Sequence, residues 1–139
     1  MGAWGYGHFE DDAAFDFMAE VEESDNPKGL LKNTFKTAID TDYLDADAAN
    51  AVIVAATYVD RQTHGTKFSA VDDDDPYDVD TFPDRHPEID LSSLKGDAVQ
   101  ALQIVLGEIS ELNELWSEND ELYPAWRQGI EKLIDRLRE

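Results

Sequence analysis

Residues 45–65 read DADAANAVIVAATYVDRQTHG, and this stretch decides the fold. Asp45 and Asp47 supply capping residues near its start. Ala48, Ala49, Val52, Ala55, Ala56 and Val59 recur at three- and four-residue spacing, which predicts a helix with these residues on its inner side. The centre is apolar nearly all round, the pattern of a helix buried in the middle of a bundle. His64-Gly65 ends it, because glycine closes a helix readily in the left-handed conformation.

A buried central helix needs others around it, and the flanking sequence supplies them. From Ala13 to Glu23, residues Ala14, Phe17, Met18 and Val21 share one face, with Asp11 or Asp12 as the cap. A second helix opens at Asn26-Pro27, a capping residue followed by proline in the first turn. Leu30, Leu31, Phe35, Ala38 and Ile39 form its buried stripe. Beyond the central helix, Leu94, Ala98, Leu102, Val105, Leu106, Ile109 and Leu112 predict one continuous helix of more than four turns. Asp97 and Gln100 have capping-box spacing, which places its regular start just after Asp97. Gly107 then sits mid-helix, at a cost of about 1 kcal/mol relative to alanine. The last helix starts between Asp120 and Pro124, with Trp126, Ile130, Leu133, Ile134 and Leu137 as its stripe. No strand is required anywhere. The expectation is a single all-α domain over residues 1–139, a compact bundle of about five helices.

Between the third and fourth helices, residues 66–92 carry Pro76, Pro83 and Pro87 among many aspartates and read as a long acidic loop. Tyr77, Val79, Phe82, Ile89 and Leu91 are available to tack it to the core. The whole chain has 32 acids against 11 bases, a net charge of −21. Residues 72–90 concentrate this, with nine acids and one base in nineteen positions. Such a charge repels nucleic acid and anionic membranes and favours a basic protein as partner. Acidity as plain solubility or salt adaptation is the bland alternative, and 20 aspartates against 12 glutamates with only six lysines suit a salt-tolerant host. The absence of cysteine excludes disulfides and thiol catalysis and suits a reducing cytoplasm. No secretory signal is expected, with no basic residue before Lys28 and no apolar leader core. The longest apolar run, Ala51–Ala56, is far too short to span a bilayer.

The chain opens Met1-Gly2-Ala3-Trp4-Gly5-Tyr6-Gly7-His8-Phe9-Glu10-Asp11-Asp12. Alternate glycines give an irregular segment, and Trp4 and Phe9 are the side chains expected to pin it to a core. This M-G-A-W-G-x-G-x-F-x-x-D opening, followed by a short amphipathic helix, resembles domain of unknown function 4259, a set of small bacterial proteins. Ser110-Glu111-Leu112-Asn113-Glu114-Leu115-Trp116, Ala125-Trp126-Arg127 and the alanine-rich third helix resemble the same family. Asp11 stands where that family often has asparagine, and segment 66–92 is longer and more charged than its usual connection. The resemblance implies no activity and assigns no functional residue.

No constellation in the sequence compels chemistry. The glycine-rich opening lacks the preceding strand and the lysine-serine pair of a phosphate loop, and its acids repel phosphate. Asp72, Asp73, Asp74, Asp75, Asp78 and Asp80 fail as an EF-hand, because Pro76-Tyr77 or Tyr77-Asp78 occupy the fifth and sixth positions. His8, His64 and His86 show no ligand spacing, so no metal or cofactor is expected. Thr63 and Thr66 flank His64, but neighbours in sequence are not a triad. Lys28, Lys32 and Lys36 share one face of the second helix, where pairing with Glu20, Glu22 and Glu23 is the simplest role. The functional expectation is a non-enzymatic acidic cytoplasmic binding protein, immunity-like in neutralising a basic partner through Asp72, Asp73, Asp74, Asp75, Asp78 and Asp80. A small metal-dependent enzyme in a helical fold and a nucleic-acid mimic are the alternatives.

Overall fold

Helix α3, Ala46–His64, is the axis of the structure. Asp45 caps it, its Oδ1 accepting the Ala48 N–H at 2.8 Å. At the other end Gly65 adopts φ 73°, and its N–H donates to the Arg61 carbonyl at 3.0 Å. Every residue from Val52 to Asp60 is buried, as the all-round apolar centre requires. The computed structural model describes residues 12–66, 82 and 86–138. Trp4, Phe9, His8 and Asp72–Asp80 lie outside these residues, as do Tyr77 and Val79.

Five further α-helices are described: α1 (Asp12–Glu23), α2 (Pro27–Asp40), α4 (Lys95–Val105), α5 (Glu111–Ser117) and α6 (Tyr123–Leu137). All five touch α3. The result is an all-helical bundle, with no strand among the described residues. Phe17, Met18 and Val21 of α1 and Leu31, Phe35 and Ala38 of α2 are buried, as their spacing predicts. Asn26 caps α2 by accepting the Gly29 N–H at 3.1 Å, with Pro27 in the first turn. On α6 all five stripe residues are buried, and Trp126 stacks on Trp116 of α5 at 5.9 Å between ring centroids. Burial of each large apolar side chain stabilises the fold by about 1.5–3 kcal/mol. None of the described helices is long and apolar enough to cross a membrane.

The continuous helix expected over Leu94–Leu112 is two helices, which makes six α-helices among the described residues where the sequence suggests about five. The apolar spacing runs through the break, but the backbone does not follow it. Leu44, in the α2–α3 connection, donates its N–H to the Ile109 carbonyl at 2.9 Å and accepts the Glu111 N–H at 2.8 Å. These tertiary bonds take the backbone groups that a continuous helix would use. Gly107 falls in the turn, its N–H on the Ile104 carbonyl, and Ser110 caps α5 by accepting the Asn113 N–H at 3.2 Å. Glu111 then reaches back, its Oε1 accepting the Ala46 N–H at 2.8 Å and capping the start of α3.

The start of α4 also differs from expectation. It begins at Lys95, before Asp97, because a 3-10 turn at Ser92–Leu94 leads directly into it. Asp90 initiates that turn, its Oδ1 accepting the Ser92 N–H at 2.9 Å.

Two substitutions test this packing. Ala55→Leu places extra volume on a fully buried position of α3 and is expected to cost about 1–3 kcal/mol. Ser110→Ala removes the α5 cap and is expected to cost about 1 kcal/mol. Urea unfolding of each variant against the parent measures both.

Candidate functional site

The last two turns of α3 carry two of the four buried polar residues among those described, Thr57 and Asp60. Asp60 is 0% exposed, a carboxylate inside an otherwise apolar stretch. Arg136 of α6 meets it, Nε to Oδ2 at 2.7 Å, and Thr66 donates its hydroxyl to Oδ1 at 3.1 Å. A buried carboxylate is tolerated only when paired and hydrogen-bonded, and these two partners provide that. The Asp60–Arg136 bond therefore fastens the C-terminal helix to the central one.

His64 lies one turn further on, its Nδ1 3.6 Å from Asp60 Oδ1 and 2.8 Å from Thr63 Oγ1. Thr63 donates its own hydroxyl hydrogen to the Val59 carbonyl at 2.7 Å, so Nδ1 is the donor in the histidine contact. Hydroxyl and carboxylate thus face the same ring nitrogen. A relay needs them on opposite nitrogens, so this group is not a nucleophile–base–acid chain.

On another face of α3, Tyr58 donates its hydroxyl to Glu22 of α1 at 3.2 Å. The Glu22 side chain is 1% exposed and lies 4.0 Å from His86 Nε2, while His86 Nδ1 lies 3.9 Å from Glu88. Phe82 packs edge-on against Tyr58 at 4.9 Å and against the His86 ring at 4.7 Å. Gln62 clips the following stretch, donating to the Ile89 carbonyl and accepting the Leu91 N–H, both at 3.1 Å. On the near side Arg61 Nη1 donates to the Gly65 carbonyl at 2.7 Å. Both flanks of residues 67–81 are therefore tied to the final turns of α3.

The predicted site residues separate accordingly. Asp72, Asp73, Asp74, Asp75, Asp78 and Asp80 lie outside the described residues, which resume at Phe82 and then at His86. His64 and His86 are engaged with different carboxylates, and no group of three potential metal ligands converges among the described residues. Lys32 and Lys36 are exposed on α2, and Glu22, suggested as a lysine partner, faces Tyr58 and His86 instead. Of the tacking residues, Phe82 and Leu91 are fully buried and Ile89 packs against the core.

Sequence reading missed Asp60. The available signal was a single acid within the apolar run of α3, which implies a basic partner elsewhere. It also missed a polar chain that joins α4, α5 and α6. Tyr123 donates to Asn113 Oδ1 at 2.7 Å, Asn113 Nδ2 donates to the Gly107 carbonyl at 3.3 Å, and Arg127 Nη1 donates to the Leu106 carbonyl at 3.3 Å. These bonds hold the turn between α4 and α5.

Two measurements test this site. Arg136→Met leaves the Asp60 carboxylate buried without its main partner; water reaches a third of Arg136, so the expected cost is about 2–3 kcal/mol, just under the usual buried-pair range. Asp90 supplies a pH test. Its bond to the Ser92 N–H, then the Ser92 hydroxyl, then the Lys28 charge hold its carboxyl below the ordinary aspartate value of 3.8. A depressed carboxylate stabilises the fold fully above that ordinary value and loses the effect as pH falls through the folded-state value. The stability gap between the parent and Asp90→Asn is therefore expected to be constant near neutrality and to close below about pH 4 in urea titrations.

The stretches that carry the family resemblance have structural tasks here: Ser110 and Glu111 cap helices, Asn113 and Arg127 brace a turn, and Trp116 and Trp126 stack. No curated protein and no solved structure gave a significant match to the chain. The family model described as Domain of unknown function (DUF4259) matches residues 2–129. With that match spanning nearly all of the sequence, the chain belongs to the DUF4259 family.

Proposed function

We propose that this protein is a non-catalytic acidic binding protein of the bacterial cytoplasm that captures a basic protein, in the manner of an immunity protein. The observation that carries this reading is the distribution of charge: −21 overall, with nine acids and one base in residues 72–90. Asp72, Asp73, Asp74, Asp75, Asp78 and Asp80 form the contact element in this reading. Supporting it, both flanks of their segment are tied to the last turns of α3, through Arg61 and Thr66 on one side and Phe82 and Gln62 on the other. A concentrated acidic stretch complements a basic surface, accelerates association and rejects acidic competitors.

The test is capture from a bacterial lysate at moderate salt, followed by kinetics with the captured protein. A saturable basic partner is expected, with association slowing as ionic strength rises. Replacing Asp72, Asp73, Asp74 and Asp75 with asparagine is expected to slow association about tenfold at low salt. Recovery of no saturable basic protein, or unchanged association by the quadruple variant, contradicts the reading.

A further inference from the structure

A shallow groove crosses the opposite half of α3, roughly 20 Å along the helix from His64 at 1.5 Å per residue. One part, of about 330 Å³, lies between Asp16, Phe17 and Glu20 of α1 and Asp47, Ala48 and Ala51 of α3. A second part, of about 230 Å³, shares Phe17, Glu20 and the two alanines and continues to Leu30, Thr34 and Thr37 of α2. The groove exists because α3 presents alanines there, where a larger side chain would fill the space. Ala48, Ala51 and Leu30 are partly buried and pack on the core, so the floor is apolar.

The rim has one sign of charge. Asp16 and Glu20 are one turn apart on α1, and Asp47 faces them from α3; all three are exposed, and among the described residues no basic side chain lines either part. Like charges at this helical spacing repel by a few tenths of a kcal/mol, and a cation between them reverses the sign. On α2 the helical register puts Lys28, Lys32 and Lys36 on the far side of the buried stripe from Leu30, Thr34 and Thr37. Among the described residues, then, no lysine offsets the groove's charge.

We propose that this groove docks an amphipathic, lysine- or arginine-bearing polypeptide segment. Its apolar side chains rest on Phe17, Ala48 and Ala51, and its cations sit between Asp16, Glu20 and Asp47. The proposal rests on the basic-partner reading above and adds a contact that is distinct from the acidic segment.

The probe is a synthetic helical peptide with one leucine face and one lysine face, followed by calorimetry and methyl shifts of the full chain. Shifts concentrated at Ala48, Ala51, Leu30 and Thr34 are expected. Ala51→Leu, which fills the groove, and the pair Asp16→Asn with Glu20→Gln, which neutralises its rim, are each expected to weaken binding about tenfold. The charge pair leaves the core untouched and removes a like-charge repulsion, so its melting temperature is expected to be no lower than the parent's. Shifts spread evenly over the acidic surface, or groove variants no weaker than a control pair at Glu118 and Asp120, overturn the groove proposal. Peptide binding lost only when Asp72–Asp75 are replaced also overturns it, while leaving the basic-partner reading in place. Groove binding of the peptide without capture of any basic protein supports the groove and contradicts that reading.

Discussion

The burial of the centre of α3, Val52–Asp60, on every side is the constraint from which the rest follows. A helix in that position can expose no polar group without a partner, so each of its ends must be closed by protein. Asp45 and Glu111 close the start, and Gly65 with Arg61 closes the finish. The one acid in its buried run requires a cation, and Arg136 meets it from the last helix. Among the described residues no buried side-chain polar atom lacks a partner. The bundle is thus organised less by pairwise helix propensity than by the requirement to satisfy one central element.

That organisation separates the molecule's two kinds of charge. The buried carboxylates, Asp60 and the Glu22 side chain, serve the fold: each holds an element against α3. The other acids among the described residues lie largely at the surface, where they shape what the protein repels and attracts. The family's C-terminal signature belongs with the first kind. Ser110, Glu111 and Asn113 form the lock between the α2–α3 and α4–α5 connections, so their pattern reports architecture and not chemistry. The described flanks of the acidic stretch belong with the first kind too, since Thr66 bonds Asp60 and Phe82 packs on Tyr58.

Much of this fold was legible in the sequence. The caps at Asn26, Asp45 and Gly65 stand where local chemistry predicts; the α6 stripe is buried, as are Phe17, Met18 and Val21 of α1 and Leu31, Phe35 and Ala38 of α2, while Leu30 and Ile39 are only partly covered. Hydrophobic spacing failed at Leu94–Leu112, because it reports which side chains are buried and not whether the backbone between them is continuous. The bonds from Leu44 that interrupt that helix come from a residue more than sixty positions away, and no local pattern contains them. Asp97 misled for a related reason: its capping-box spacing competes with the Asp90 turn that starts the helix earlier. The candidate site was legible only as composition. The acidic run announces itself, whereas Asp60, the groove alanines and the Gln62 clip acquire meaning only once α3 is surrounded.

Native-state hydrogen exchange tests the central role of α3 most directly. If α3 is the element on which all others depend, the amides of Val52–Asp60 exchange only through global unfolding, with a free energy equal to that from urea denaturation. The amides of α1, α5 and α6 then open at lower free energy, while α3 remains protected. Exchange of Val52–Asp60 through a local opening, faster than that of α6, would contradict this account.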